Sequence, residues 1–93
     1  MAALTDDERA SALAGLPGWQ VIDGKLSKIY STASFLAALD LVNRVGELAE
    51  AAGHHPDIAI NYNRVTFALV THDEGGITHK DVDLATQIDS VAD

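Results

Sequence analysis

The stretch GHHPDIAINYNRVTFALVTH, residues 53–72, decides how this chain folds. Gly53 ends a helical pattern, because glycine takes the left-handed conformation that stops a helix at little cost. Pro56 disfavours a helical conformation at His55 and turns the chain into a new direction. Beyond it the apolar residues alternate: Ile58, Ile60 and Tyr62, then Val65, Phe67 and Leu69. That period of two is the signature of two half-buried strands. Asn63-Arg64 is the natural two-residue turn between them. A regular hairpin about that turn sets Tyr62 opposite Val65, Ile60 opposite Phe67 and Ile58 opposite Leu69, burying Ile58 and Tyr62. Extended further, the same ladder pairs Pro56 with Thr71 and His55 with His72. His55 and His72 then share the face opposite the Ile58/Ile60/Tyr62 stripe.

Upstream, residues 33–52 form the longest helix, with Thr32 as its N-cap. Phe35, Leu39, Val42, Gly46 and Ala49 recur at helical spacing as its buried stripe. Leu36, Asp40, Asn43, Glu47 and Glu50 make a neighbouring, mostly polar one. A shorter helix opens the chain: Thr5 caps it, Asp6, Asp7 and Glu8 suit its positive end, and Gly15 and Pro17 close it. Between these helices, WQVIDGKLSKIYS (19–31) is a hairpin about Asp23-Gly24, with Trp19 in the core. Downstream, Thr78-His79-Lys80-Asp81 is an acidic variant of a capping box that starts a last helix. Asp81 lines up with Ala85 and Ile88 and leans toward the body of the protein. The order α-β-β-α-β-β-α predicts an α+β fold of two layers: a four-stranded antiparallel sheet with helices on one face. Residues 1–93 are expected to make a single domain.

Composition removes several function classes. The chain has 14 acidic and 6 basic residues and a formal charge of −8. Its cations are scattered, whereas nucleic-acid binding needs them clustered. With no cysteine, a disulfide framework, a thiolate nucleophile and cysteine-ligated metal are all excluded. No stretch approaches the ~20 apolar residues of a membrane span. The acidic N-terminus is unlike a secretory signal. These features point to a soluble, cytoplasmic protein that binds neither membrane nor nucleic acid.

The chemistry lies in the histidines. His54 and His55 stand at the helix-to-strand reversal, and His72 lies across the expected hairpin. Glu50 is one turn upstream of the pair, and Asp57 and Asp81 complete a candidate pocket. Imidazole titrates near neutrality, so such a cluster can both donate and accept protons, with carboxylates fixing the tautomers. Three histidines and an acid also suit zinc. However, the spacing matches no recurrent helix-borne zinc pattern, and adjacent residues of an extended chain point apart. Solvated loop histidines are the third alternative, and the simplest for His79. Glu50 as a plain surface acid, and Asp81 as a first-turn dipole residue, remain open beside their site roles. No glycine loop of phosphate-cradling length is present. What remains for an enzyme is proton-transfer chemistry on a small molecule, by a dehydratase or an isomerase.

Glu50-Ala-Ala-Gly-His54-His55-Pro56, followed by Tyr62, His72 and Asp81 at this spacing, resembles the signature of the pterin-4a-carbinolamine dehydratases. Leu16-Pro17-Gly18-Trp19 and the tail from Ile77 to Ala85 are similar to that family as well, so the resemblance spans nearly the whole chain. It implies dehydration of 4a-hydroxytetrahydropterin to quinonoid dihydropterin, which recycles the pterin of aromatic amino acid hydroxylases. No metal and no bound cofactor is implied. The resemblance makes His54, His55 and His72 catalytic, with Glu50, Pro56, Asp57 and Asp81 binding or orienting substrate. His55 and His72, on one expected face, take the proton transfers, and His54 orients the pterin. The partners implied are the pterin, further copies of the chain in a dimer or tetramer, and a pterin-dependent hydroxylase in the same pathway. Some members of the family act instead as dimerisation partners of a transcription factor. For such a role Leu36, Leu41 and Val45 are the expected exposed helix face.

Overall fold

Thr5 accepts a hydrogen bond from the Glu8 amide while the Glu8 side chain accepts from the Thr5 amide, a reciprocal capping box. It starts α1, Asp6–Ala14, the first element of a computed structural model that describes residues 2–92. There follow β1 (Gln20–Ile22), β2 (Lys25–Ser31), α2 (Phe35–Ala52), β3 (Asp57–Asn61) and β4 (Arg64–Leu69). A 3₁₀ turn (His72–Glu74) then leads to α3 (His79–Ala92). The strands form one antiparallel sheet in the order β1-β2-β4-β3, so the α+β order expected from sequence is the one that folds. Asp23 and Gly24, both at positive φ, make the tight β1–β2 turn.

All the deeply buried strand residues except Ser27 share one face of the sheet. Leu26 of β2 and Val65, Phe67 and Leu69 of β4 point there, and the helices cover them. Ala38, Leu41, Val45 and Ala49 of α2 and Leu84, Ala85 and Ile88 of α3 complete the core with Trp19. The buried stripe of α2 is thus rotated from the expected one. Phe35 is 47% exposed, while Leu41 and Val45, expected on an outer face, are buried. The small side chains of Ala38 and Ala49 let α2 lie close to its neighbours, which a stripe led by Phe35 would hold away. Leu36 is exposed as expected.

Two caps and turns also differ. Ser34, not Thr32, caps α2, accepting from the Ala37 amide at 3.0 Å. Thr32 instead bonds to the carbonyls of Ser34 and Asn63, and the Asn63 side-chain amide donates back to the Thr32 carbonyl. This clamp holds Asn63 inside the β3–β4 turn, whose central residues are Tyr62 and Asn63. The register therefore slips by two residues: Ile60 faces Val65 and Ile58 faces Phe67. A slip of two preserves which side chains share a face, so the expected faces survive although the partners do not. Tyr62 swings out at φ 55°, 72% exposed, and is not core. Ile58, on the edge strand, is 38% exposed.

One polar knot ties α3 to the sheet. Asp89 accepts hydrogen bonds from Trp19 Nε1 at 3.1 Å, Lys28 Nζ at 2.9 Å and the Tyr30 hydroxyl. Burial alone would raise the Asp89 pKa, but the bonds from Tyr30, Lys28 and Trp19, with the Lys28 charge, outweigh it and hold it below its ordinary value.

Candidate active site

The site begins with the way α2 stops. Gly53 is left-handed, at φ 63° and ψ 30°. The His54 amide donates to the Ala49 carbonyl and the Gly53 amide to that of Glu50, the double closure of a Schellman motif. His54 is thereby fixed to the last turn of the helix by its own backbone, and Pro56 leads the chain into β3. The two imidazoles leave this reversal toward different neighbours.

His54 turns inward. Its ring is 13% exposed, and its Nε2 lies 2.5 Å from Oδ1 of Asp81, whose side chain is fully buried. The second Asp81 oxygen accepts from Thr71 Oγ1 and from the Thr78 amide, each at 2.9 Å. Thr71 and Thr78 hydroxyls are 2.8 Å apart. A carboxylate already receiving donors on one oxygen acts as acceptor on the other, so His54 carries its proton on Nε2 and its lone pair on Nδ1. Half of the capping box expected at Thr78 forms: the Thr78 amide donates to Asp81, but the Thr78 hydroxyl accepts from the Lys80 amide at 3.2 Å rather than from that of Asp81.

His55 turns outward. Its Nε2 lies 2.5 Å from Oε1 of Glu50, but the two side chains are 64% and 79% exposed. His72 does not pair with His55 across the hairpin: the ladder ends at Asp57–Ala68, and His72 opens the 3₁₀ turn. It still reaches the same place. His54, His55 and His72, with Thr71 and Lys80, line an open cleft of about 260 Å³. The convergence expected of the three histidines is thus present, by a route other than the expected register.

Pro56 is half-buried behind the pair and lies outside the cleft lining. Asp57 is also outside it, on the sheet face away from the helices, with its carboxylate 2.8 Å from Lys25 Nζ. That hydrogen bond and the Lys25 charge hold the Asp57 pKa below its ordinary value, with a smaller pull from His72. Among the described residues, no group of three or more His, Asp or Glu is arranged to hold a metal ion. Thr71, the hydroxyl that fixes Asp81, was not among the sequence candidates. The available signal was parity, since Thr71 lies two residues beyond Leu69, the last residue of β4, and so in line with its inward face. Lys80 at the rim was not among them either.

The chain is similar to known proteins over nearly its whole length. A family model described as Pterin 4 alpha carbinolamine dehydratase matches residues 2–91. A protein of Mycolicibacterium vanbaalenii named "Putative pterin-4-alpha-carbinolamine dehydratase" is 53% identical over 91 residues, 98% of each chain. One of the same name from Cyanothece sp. is 49% identical over 89 residues, 96% of this chain and 92% of its own. Among solved structures, a transcriptional coactivator/pterin dehydratase from Brucella melitensis superposes with a TM-score of 0.93 at 33% identity, covering 98% and 99% of the two chains. A pterin dehydratase-like protein identified as a RuBisCO assembly factor in the alpha-carboxysome shares the fold alone, with a TM-score of 0.65 at 21% identity over 80% and 86% of the chains.

Proposed function

The chain belongs to the pterin 4 alpha carbinolamine dehydratase family, and on that footing we propose that it removes water from a 4a-hydroxytetrahydropterin by histidine acid–base catalysis. The reaction breaks the C4a–O bond and forms a C4a=N5 double bond. The departing hydroxyl gains a proton and N5 loses one, leaving quinonoid dihydropterin and water.

The observation that carries this reading is the buried Asp81 carboxylate behind His54. It fixes the ring and stabilises the imidazolium that forms when Nδ1 takes a proton. His54 is therefore our choice for the group that accepts the N5 proton. That moves the base from the His55/His72 pair favoured by the sequence onto the residue that is held. His55 and His72 stand at the open cleft, where either can hydrogen-bond the 4a-hydroxyl and supply its proton. Glu50 holds the His55 ring. Recycling of the pterin for a hydroxylase is the pathway role that fits this product.

The test is dehydration of freshly generated 4a-hydroxytetrahydropterin, followed by absorbance after chelator treatment. We expect turnover above the spontaneous rate, reduced by ~10²-fold or more in His54→Ala, the scale of a lost general base. Activity that appears only on adding metal would overturn the acid–base assignment. No turnover under either condition would remove the enzyme reading.

A second reading, a protein-interaction module, is favoured by Phe35 and Leu36, which are 47% and 75% exposed at the start of α2. Self-association through that end of α2 belongs to this reading. Leu36→Lys should then lower the mass measured by light scattering, and an unchanged mass would exclude this contact.

A further inference from the structure

Behind Asp81 the hydroxyls of Thr71 and Thr78 form a chain that can run in one direction only. At its far end the Lys80 amide donates to Thr78 Oγ1 at 3.2 Å. At its near end Asp81 Oδ2 accepts from the Thr78 amide and from Thr71 Oγ1, each at 2.9 Å. A threonine hydroxyl has one proton. Thr71 gives its own to Asp81, so the 2.8 Å contact between the two hydroxyls is a bond donated by Thr78. Each link thus donates to the next: Lys80 amide, Thr78 hydroxyl, Thr71 hydroxyl, Asp81 carboxylate.

The reverse order fails. A proton on Oδ2 would make Asp81 the donor to Thr71, and Thr71 the donor to Thr78. The Thr78 proton would then have no acceptor among the described residues, and its oxygen already faces the Lys80 amide. Thr71 is 6% exposed and Thr78 and Asp81 are 0% exposed, so water cannot serve instead. A buried donor left unpaired is costly, and bonds that follow one another along a chain strengthen each other. Both hydroxyls are anchored by their backbone. Thr71 and Gly76 exchange amide-to-carbonyl bonds at 3.0 and 3.3 Å, closing the loop that carries His72. The Thr78 carbonyl accepts from the amides of Asp81 and Val82 at 3.1 and 3.3 Å.

Resting on the dehydratase reading, we propose that Thr78, acting through Thr71, is a positioning residue for the base. The hydroxyl chain keeps Asp81 an acceptor on both oxygens, and Asp81 keeps the His54 proton on Nε2 and the lone pair on Nδ1. Thr78 is not among the residues that line the cleft, so it acts without touching the substrate. When Nδ1 takes the N5 proton, positive charge develops on a ring that lies against Asp81 Oδ1. The donors on Oδ2 are already in place and need not turn to meet it, which is how a preorganised group favours a transition state. With Thr78 reduced to a hydrocarbon, Thr71 receives no proton and the Lys80 amide loses its acceptor. The bond from Thr71 to Asp81 is then weaker, and a carboxylate held less firmly no longer fixes the ring.

The test compares the wild type with Thr78→Val, which keeps the shape and removes the hydroxyl, and Thr78→Ser, which restores it. In dehydration of 4a-hydroxytetrahydropterin, Thr78→Val should lower kcat about tenfold with KM unchanged, the scale of one hydrogen bond to a charged group. Thr78→Ser should recover most of that loss. The second readout needs no substrate. Hydrogen exchange of the His54 Nε2–H, followed by NMR of ring-labelled protein, should be slower in the wild type than that of the His55 ring. It should quicken about tenfold relative to the Phe67 amide of β4 in Thr78→Val, and return in Thr78→Ser. Equal quickening of His54 and Phe67 is what lost stability alone produces, and it would overturn the proposal. So would an unchanged kcat in Thr78→Val, or a loss that serine does not recover. Thr71→Val breaks the next link and is read in the same way if Thr78→Val does not fold. A wild-type His54 ring proton that exchanges as fast as that of His55 would overturn the proposal without any variant. No turnover in the wild type would sink the dehydratase reading, while the exchange rates would still decide the hydroxyl chain.

Discussion

His54 and His55 are neighbours in the chain, and each has a carboxylate oxygen 2.5 Å from Nε2. Otherwise they differ in every respect that sets electrostatic strength. The His54–Asp81 pair is 13% and 0% exposed, and the far side of its carboxylate is held by Thr71 and Thr78. The His55–Glu50 pair is 64% and 79% exposed, with Glu50 on the outer face of α2. An ion pair in water is screened and weakly ordered. The same pair out of water polarises strongly, and removing one member leaves the other unsatisfied. Two bonds of equal length thus lie in different surroundings, and in the proposed mechanism the buried one holds the base while the exposed one leaves its ring free to follow the substrate.

Substitution of Asp81 should break this comparison most severely. Asp81→Ala strands the Nε2–H of His54 and removes the acceptor of Thr71 and of the Thr78 amide. We expect a loss of about 3 kcal/mol in stability by denaturant unfolding, the cost of orphaning buried polar groups. Asp81→Asn separates chemistry from folding. It keeps the volume and one acceptor but cannot stabilise an imidazolium, so turnover should fall by ~10²-fold or more while most of the stability is retained. Equal rates for Asp81→Asn and wild type would show that the buried carboxylate only supports the fold.

Much of this site was legible in the sequence because it hangs on strong local signals. Gly53 and Pro56 fix the reversal, and Thr78 with Asp81 fixes the start of α3 and the inward lean of the acid. The sheet was legible for the same reason, since alternation in Ile58–Ile60 and Val65–Leu69 survives a register slip of two. What could not be read depends on contacts between distant segments. The clamp between Thr32 and Asn63 spans 31 positions and moves the turn onto Tyr62. The buried stripe of α2 is chosen by its neighbours from two apolar stripes that adjoin on one helix. The difference between the two histidine pairs belongs here as well. Nothing in Glu50-x-x-x-His54-His55 says which ring turns inward, and the resemblance to a family could not supply the asymmetry.

Asp89 offers an intermediate case, and its effect should be smaller. Like Asp81 it is a carboxylate of α3 with several donors, but it is 26% exposed and its partners among the described residues are Trp19, Lys28 and Tyr30 rather than a histidine. Its folded pKa is depressed, so below neutrality the unfolded chain takes up its proton at higher pH than the folded one. The stability it contributes is complete at neutral pH. It begins to decline as the pH falls to the ordinary value of 3.8 and is lost once the pH passes below the folded-state value. Asp89→Asn should cost about 1 kcal/mol at pH 7, and this cost should shrink through that acid window. A cost independent of pH would mean that the knot acts through shape alone.

Glu50→Gln should give the smallest change, and its smallness is what sharpens the comparison. Gln keeps the length and an oxygen that can still meet His55, but removes the charge. Because both side chains are largely exposed, the expected loss of stability is below ~0.5 kcal/mol and should vanish in high salt. Turnover should fall by no more than about tenfold, since an exposed ring reorients against water when its carboxylate is lost. The informative readout is the ratio of Asp81→Asn to Glu50→Gln, measured on the same substrate at the same ionic strength. If burial decides the division of labour, Asp81→Asn loses at least ten times more turnover. If Glu50→Gln proves the more damaging, the exposed pair carries the base, and the proton from N5 leaves through His55.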